Sequence, residues 1–335
     1  MKSILITGAS GFIGSFIVEE ALKRNFEVWA GVRPTSSRIY LADSRIHFLE
    51  MDCAHPEILR AQLKEHVDAF GRFDYVVHCA GVTKCADKRD FEKVNFVQTK
   101  NLVDCLIGLD MVPRQFALIS TLSVFGPIRE ESYQPIEDTD VPCPNTAYGQ
   151  SKLKAEHYIA SLKGFPYVIY RPTGVYGPRE KDYFLMVKSI RQHTDFAVGF
   201  HRQDLTFVYV KDVVQAVFLG IEKQIAGRSY FLTDGNVYQS RTFSDLIRKE
   251  LGNPFVIRLT CPLIVLKVVS LLAEFLAVSR KKSSTLNSDK YKIMKQRNWR
   301  CDITPAEKDL GFSPKYNLER GVKETVTWYK NEGWL

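Results

Sequence analysis

The 335-residue chain carries 46 basic and 38 acidic residues, a formal net charge of +8, with 45% apolar and 25% charged residues. Those proportions exclude a disordered or fibrous chain and leave room for a large core, or for two domains sharing an interface. The basic residues are scattered rather than gathered on one aromatic-interleaved stripe, so an anionic cofactor or small-molecule substrate, not nucleic acid, accounts for the charge.

In chain order, short apolar runs alternate with helix-length segments. A strand from Ile4 to Thr7 precedes a helix from Ile13. Further strands are predicted at Glu27 to Gly31, Ile46 to Met51, Tyr75 to Cys79, Phe116 to Ser120 and Tyr167 to Arg171. Strands apolar on both faces and joined by helices predict an α/β fold with a doubly wound parallel sheet of Rossmann type. After Pro172 the pattern turns to irregular loops and helices, as a smaller substrate domain would show. Thr206 to Val210 is strand-like, leads into a helix at Val213 and is expected to return the chain to the first domain. The predicted division is a dinucleotide-binding domain of residues 1–172 and 205–235, and a substrate domain of residues 173–204 and 236–335.

Pro262 to Val278 is the most apolar segment, but Lys267, Ser270 and Glu274 fall on one helical face. The run is also shorter than the roughly 20 residues a membrane span needs. A helix buried on three sides is the preferred expectation; a lid over an apolar substrate, or a helix lying on a membrane surface, is the sharper one. The densest cationic stretch, Arg280-Lys281-Lys282 followed by Lys290, Lys292, Lys295 and Arg297, reads as solvated surface. Seven cysteines, an odd number with no C-x-x-C pair, argue against a disulfide framework and a zinc site. With a strand beginning at Ser3 there is no room for a cleavable leader, and a cytoplasmic location is expected.

Strand Ile4-Leu5-Ile6 runs into Thr7-Gly8-Ala9-Ser10-Gly11-Phe12-Ile13-Gly14 and then a helix, the context a phosphate-binding glycine loop requires. Gly8 permits the tight turn, Gly11 lets backbone approach a pyrophosphate, and Gly14 lets the helix pack close. The position beyond the second strand that holds an acidic residue in NAD-binding proteins is Arg33, with Arg38 nearby. A guanidinium there suits a 2′-phosphate, so NADP(H) is favoured over NAD(H), although Arg33 stacking on adenine would serve either.

Tyr148 and Lys152 stand four residues apart, on one face of a predicted helix. A fixed ammonium beside a phenol is expected to bring its pKa down from about 10 toward the working range. A fifth strand ends in Ser120-Thr121, offering a hydroxyl at the cofactor crevice. The fourth ends in His78-Cys79-Ala80-Gly81, small residues that leave space for a dinucleotide. The plainer reading of His78 is a packed core histidine.

Together the glycine loop, the H-C-A-G strand end, Asn95 and Asn101 in V-N-x-x-x-T-x-N-L, S-T-L-S-V-F-G, Y-x-x-x-K and the R-P-T-G-V-Y-G-P-R run from Arg171 to Arg179 resemble the extended short-chain dehydrogenases/reductases, the NAD-dependent epimerase/dehydratase family. The resemblance implies Tyr148 as acid/base, Lys152 as its helper, Thr121 as hydroxyl partner and Asn95 as orderer of a water relay. It also implies cofactor contacts from Ser10, Phe12, Ile13, Cys79, Ala80, Gly81 and Pro172, an adenine contact from Asp52, and dimerisation through a helical bundle. A plainer role for Asp52 is to cap the helix beginning near Pro56.

Departures from the family pattern narrow the reaction. Leu122-Ser123 stand where sugar-nucleotide dehydratases carry an Asp-Glu pair. Gly174 and Leu205 stand where epimerases carry an asparagine and an arginine that grip the diphosphate; Arg179, Lys181 and Arg202 are the nearby cations that could compensate. The pattern therefore resembles the dihydroflavonol reductase and 3-beta-hydroxysteroid dehydrogenase branch. Alcohol/ketone interconversion on a fairly apolar or mixed substrate is expected, with a nucleotide-sugar epimerase or reductase as the alternative and a non-catalytic dinucleotide-binding regulator as a third reading.

Overall fold

The computed structural model describes residues 1–279 and 286–335; the predicted surface stretch Arg280-Lys281-Lys282 lies outside them. The strands are β1 (Ser3–Thr7), β2 (Glu27–Val32), β3 (Ile46–Glu50), β4 (Tyr75–His78), β5 (Gln115–Ile119), β6 (Tyr167–Pro172), β7 (Gly174–Tyr176), β8 (Thr194–Val198), β9 (Phe207–Tyr209), β10 (Arg228–Leu232) and β11 (Ile257–Cys261). The helices are α1 (Phe12–Lys23), α2 (Pro56–Phe70), α3 (Arg89–Phe91), α4 (Gln98–Gly108), α5 (Ala147–Ser161), α6 (Asp182–Arg191), α7 (Val210–Glu222), α8 (Thr242–Glu250), α9 (Leu263–Ser279), α10 (Ser288–Lys295) and α11 (Leu318–Asn331).

Among the described residues, seven parallel strands form the main sheet in the order β10-β6-β5-β4-β1-β2-β3. The strand period of two sends alternate residues to opposite faces, and both faces are covered by helices. Thus Ile4, Ile6 and Val77 pack with Ile17 and Ala21 of α1 and Val214 and Phe218 of α7. Leu5, Val76 and Leu118 pack in the other layer, with Leu59 of α2, Leu102 of α4 and Ile159 of α5. The predicted doubly wound sheet is therefore the observed one. A third cluster, built on Tyr176, Phe207, Tyr209, Phe243, Val326 and Tyr329, lies beyond the sheet's C-terminal edge.

The strand predicted over Thr206 to Val210 is β9, which pairs with β7 outside the main sheet; α7 follows it and packs on that sheet through Val214 and Phe218, and the chain joins the sheet at β10, against β6. One expectation changes. The helix expected to be buried on three sides is α9. Its Leu266 and Ser270 are buried, but Ile264, Val268, Leu272 and Phe275 are exposed. The cause is that Ser270 and Glu274 of the polar stripe turn inward, Glu274 accepting hydrogen bonds from Ser288 N at 2.9 Å and Lys88 Nζ at 2.8 Å, while Lys267 stays exposed. Among the described residues no helix is long and apolar enough to cross a membrane.

Candidate active site

The strand order reverses between β1 and β4, and a crevice opens outside their C-terminal ends. Gly8, at φ +65°, turns the chain out of β1; a Cβ there would stand 2.7 Å from Ala80 N. Gly11 N donates to Gly8 O at 2.9 Å. Gly11 is also the N-cap of α1 and places no side-chain acceptor over the helix start. The first-turn N–H groups are thereby left for a ligand anion. A Cβ at Gly14 would lie 2.2 Å from Gly8 O, so α1 seats on the turn only with glycine there. Ser10 is half-exposed, and Phe12 and Ile13 sit at the margin of the core. This cradle fits a dinucleotide pyrophosphate.

The end of β4 is fixed by His78, which is buried between Thr7 Oγ1 (2.7 Å) and Thr99 Oγ1 (2.9 Å). Burial pushes its pKa down to about 3, so it is a neutral, packed histidine. Burial likewise raises the Cys79 thiol to about 12. Beyond them Gly81 keeps the floor low: a Cβ would stand 2.9 Å from Asn95 Oδ1 and 3.1 Å from Lys152 Nζ. Asn95 is buried and spends its amide on protein partners, accepting from Val82 N (2.8 Å) and donating to Val82 O (3.1 Å) and Ser151 Oγ (3.0 Å). Asn95 thus ties the loop after β4 to α5.

Thr146 caps α5, its Oγ1 accepting from Gly149 N at 3.1 Å, and so sets Tyr148 in the first turn and Lys152 one turn later. Burial raises the Tyr148 phenol to about 12, while the neighbouring Thr121 hydroxyl pulls it down. Burial lowers the Lys152 ammonium to about 8; Cys79 and the Glu156 carboxylate favour its charge. Lys152 Nζ donates to Ile119 O at 3.0 Å, at the end of β5. The expected lowering of the phenol by Lys152 is not seen: burial dominates at Tyr148, and the ammonium is turned down onto the strand end.

Glu156, one further turn along α5, was not singled out from the sequence. It is buried and takes Arg171 Nη2 at 2.7 Å and Nε at 3.0 Å, while its other oxygen accepts from Ser120 Oγ. Its i, i+4 spacing from Lys152 was the available signal; its partners on β5 and β6 were not readable locally.

At the other end of the crevice, exposed Arg33 follows β2, with its N–H on Ser36 Oγ at 3.1 Å. Arg38 stacks on Phe48 at 4.3 Å and reaches Glu50 at 3.4 Å. Asp52 accepts from Ala54 N (3.1 Å) and pairs with His55 Nδ1 (2.9 Å), contacts that hold its carboxyl below the ordinary range. His55, not Asp52, is the N-cap of α2.

Next to Thr121 and Pro172 lies a cavity of about 340 Å³ whose wall includes Ser123, Gly174, Leu205, Phe207, Phe243 and Trp299. Among the described residues its lining contains no charged side chain. Gly174 and Leu205, the two positions read as departures, therefore both face this space. A Cβ at Gly174 would stand 2.5 Å from Tyr183 Oη and 3.1 Å from Phe207 Cδ1, so those rings already fill the place of any side chain there. Of the three named cations, Arg179 and Arg202 are engaged elsewhere and Lys181 is exposed. Arg179 lies between the rings of Phe16 and Tyr40 and donates to Ser15 Oγ at 2.9 Å and to Glu19. Arg202 pairs with Asp204 at 2.7 Å. Lys181 sits at the N-cap of α6.

A doubly wound parallel sheet with a glycine cradle at its switch point defines a dinucleotide-binding α/β enzyme class. The sequence profile of the NAD dependent epimerase/dehydratase family matches residues 4–232, and the chain belongs to that family of extended short-chain dehydrogenases/reductases. It is similar to the decarboxylating sterol-4-alpha-carboxylate 3-dehydrogenases of Candida albicans (24% identical, 99% of each chain) and Dictyostelium discoideum (24%, 97% of this chain and 100% of that one). Among solved structures it resembles dTDP-glucose 4,6-dehydratase of Bacillus anthracis in complex with NAD, with TM-score 0.78, 19% identity and coverage of 100% and 98%. It also resembles UDP-glucose 4-epimerase of Thermotoga maritima with UDP-glucose, with TM-score 0.78, 22% identity and coverage of 98% and 99%.

Proposed function

We propose that the protein interconverts a secondary alcohol and a ketone on a largely apolar substrate, with Tyr148, Thr121 and Lys152 as its catalytic residues. The observation that carries this reading is the uncharged cavity beside Thr121, closed at position 174 by Tyr183 and Phe207 and apolar at Leu205. A nucleotide diphosphate would enter it without a charged clamp, at the cost of stripping water from two anionic groups. The sterol dehydrogenases among the relatives agree with an apolar substrate.

A nicotinamide dinucleotide, when bound, supplies or accepts the hydride. The Gly8–Gly14 turn and the start of α1 would hold its pyrophosphate, and Lys152 its ribose. Arg33, with Ser36 beside it and no carboxylate in its place, supports a 2′-phosphate and hence NADP(H), NAD(H) being the alternative. Tyr148, raised to about 12, is protonated at neutral pH and acts as the acid that protonates the carbonyl oxygen. Thr121 hydrogen-bonds that oxygen and orients it. The phenolate left behind takes back a proton before the next turnover; Lys152, held on Ile119 O, serves the cofactor ribose.

The test is a substrate panel with the purified protein. Net oxidation of NADPH by apolar cyclic ketones, with none by UDP-hexoses, is the expected result. Inversion of a UDP-hexose centre without net cofactor consumption would overturn it in favour of an epimerase.

A further inference from the structure

The polarity of α9 is inverted. Ser270 is fully buried and donates to Leu266 O at 2.7 Å, and Glu274 is engaged with Lys88 and Ser288. At 100° per residue the opposite face carries Ile264, Val268, Leu271, Leu272 and Phe275 in one stripe. Ile264 is 79% and Phe275 72% exposed. The stripe does not end with the helix. β11 runs through Pro262 straight into α9 and exposes Ile257 and Leu259, and its partner β8 exposes Phe196. A contiguous apolar surface of this kind on one chain marks an interaction site.

We infer that this surface docks on an anionic lipid bilayer, with α9 lying in the plane of the interface. The partner's chemistry follows from the charges beside the stripe. Lys267 is exposed next to it, Lys295 and Arg297 line the space at Leu263 where α9 begins, and the chain's net charge is +8. Cations flanking an apolar helical face match anionic headgroups over an acyl boundary. A second copy on the same stripe would instead bring two sets of these cations to one boundary, where they repel.

The surface also leads to the substrate cavity. Phe196 and Val198 of β8 line that cavity. The neighbouring space of about 310 Å³ at Leu263 is lined also by Glu130, His201, Lys295 and Arg297 and offers an apolar molecule no path. Exposed Phe196 is therefore the point at which an apolar substrate dissolved in the bilayer would meet the cavity beside Thr121; this part of the inference rests on the proposed alcohol/ketone chemistry, whereas the docking does not.

Flotation of the full-length protein with vesicles of phosphatidylcholine and phosphatidylglycerol, compared with phosphatidylcholine alone, tests the docking without cofactor or substrate. The expected result is binding to the anionic vesicles, weakened by salt, and reduced about tenfold or more in Ile264→Glu/Phe275→Glu. Val268→Ser/Leu272→Ser should reduce it in the same direction if the first variant fails to fold. Tyr148→Phe should float like the unmodified protein, so loss of the reaction leaves this readout untouched. Absence of binding to both vesicle types overturns the inference, as does unchanged binding by both double variants. A homodimer that Ile264→Glu/Phe275→Glu splits into monomers, seen by sedimentation, assigns the stripe to a second copy and equally overturns it.

Discussion

In a Lys152→Met variant the buried ammonium gives way to an apolar chain of similar length, and the consequence for stability can be worked from the charge it removes. In the folded protein the ammonium gives up its proton at about 8 instead of 10.5, because burial penalises the charged form. Below pH 8 both folded and unfolded chains hold this proton, and the buried charge then costs the fold roughly 3 kcal/mol, at about 1.4 kcal/mol per tenfold change in proton affinity. Between about pH 8 and 10.5 the unfolded chain binds more protons than the native one, so the penalty is relieved and stability rises with pH. Methionine removes the penalty together with the bond to Ile119 O, itself worth about 1 kcal/mol. The variant should therefore be about 2 kcal/mol more stable near neutral pH, an advantage that disappears toward pH 10.5, while turnover is lost. Urea unfolding of both proteins at the two pH values gives the difference, in which the other titrating groups cancel. A variant less stable than the unmodified protein at neutral pH, or a difference independent of pH, would refute the reasoning.

Glu156→Gln breaks a buried pair and leaves Arg171 uncompensated, which should cost about 3–5 kcal/mol in urea unfolding; the same change removes a carboxylate that favours charged Lys152, so the corresponding limb of the pH–rate profile should move below about 8. Gly174→Ala places a Cβ 2.5 Å from Tyr183 Oη. That overpacking should cost about 1–3 kcal/mol, and Tyr183→Phe in the same chain should recover part of it; additive losses would contradict the contact. Arg33→Ala should raise KM for NADPH about 10- to 100-fold, the worth of a hydrogen bond to a charged group, and leave NADH unchanged; an equal loss for both cofactors would count against a 2′-phosphate site.

The main sheet was legible because its central strands are buried on both faces and its first turn carries a local glycine signal. Helical period placed Lys152 one turn from Tyr148, whereas the pairing of Thr121 with Tyr148 came from the resemblance to the family. The elements left unread are those set by distant partners. β7 is three residues long and is defined only by β9, and β10 opens on Arg228 and Ser229, which give no apolar run. Arg179 looked like a free cation near the substrate, yet the rings of Phe16 and Tyr40 enclose it. In α9 the helical stripe of Lys267, Ser270 and Glu274 was visible, but an inward-facing Glu274 requires Lys88 and Ser288, 186 and 14 residues away, and no helical periodicity reports them.

Turnover by Tyr148→Phe is the most direct measurement of the proposed chemistry. Phenylalanine keeps the ring that meets Phe91 edge-on at 6.1 Å and removes only the hydroxyl that would protonate the substrate oxygen. The expected result is a fall in kcat of about 10²–10⁴ with cofactor affinity unchanged. Turnover equal to that of the unmodified enzyme would contradict it.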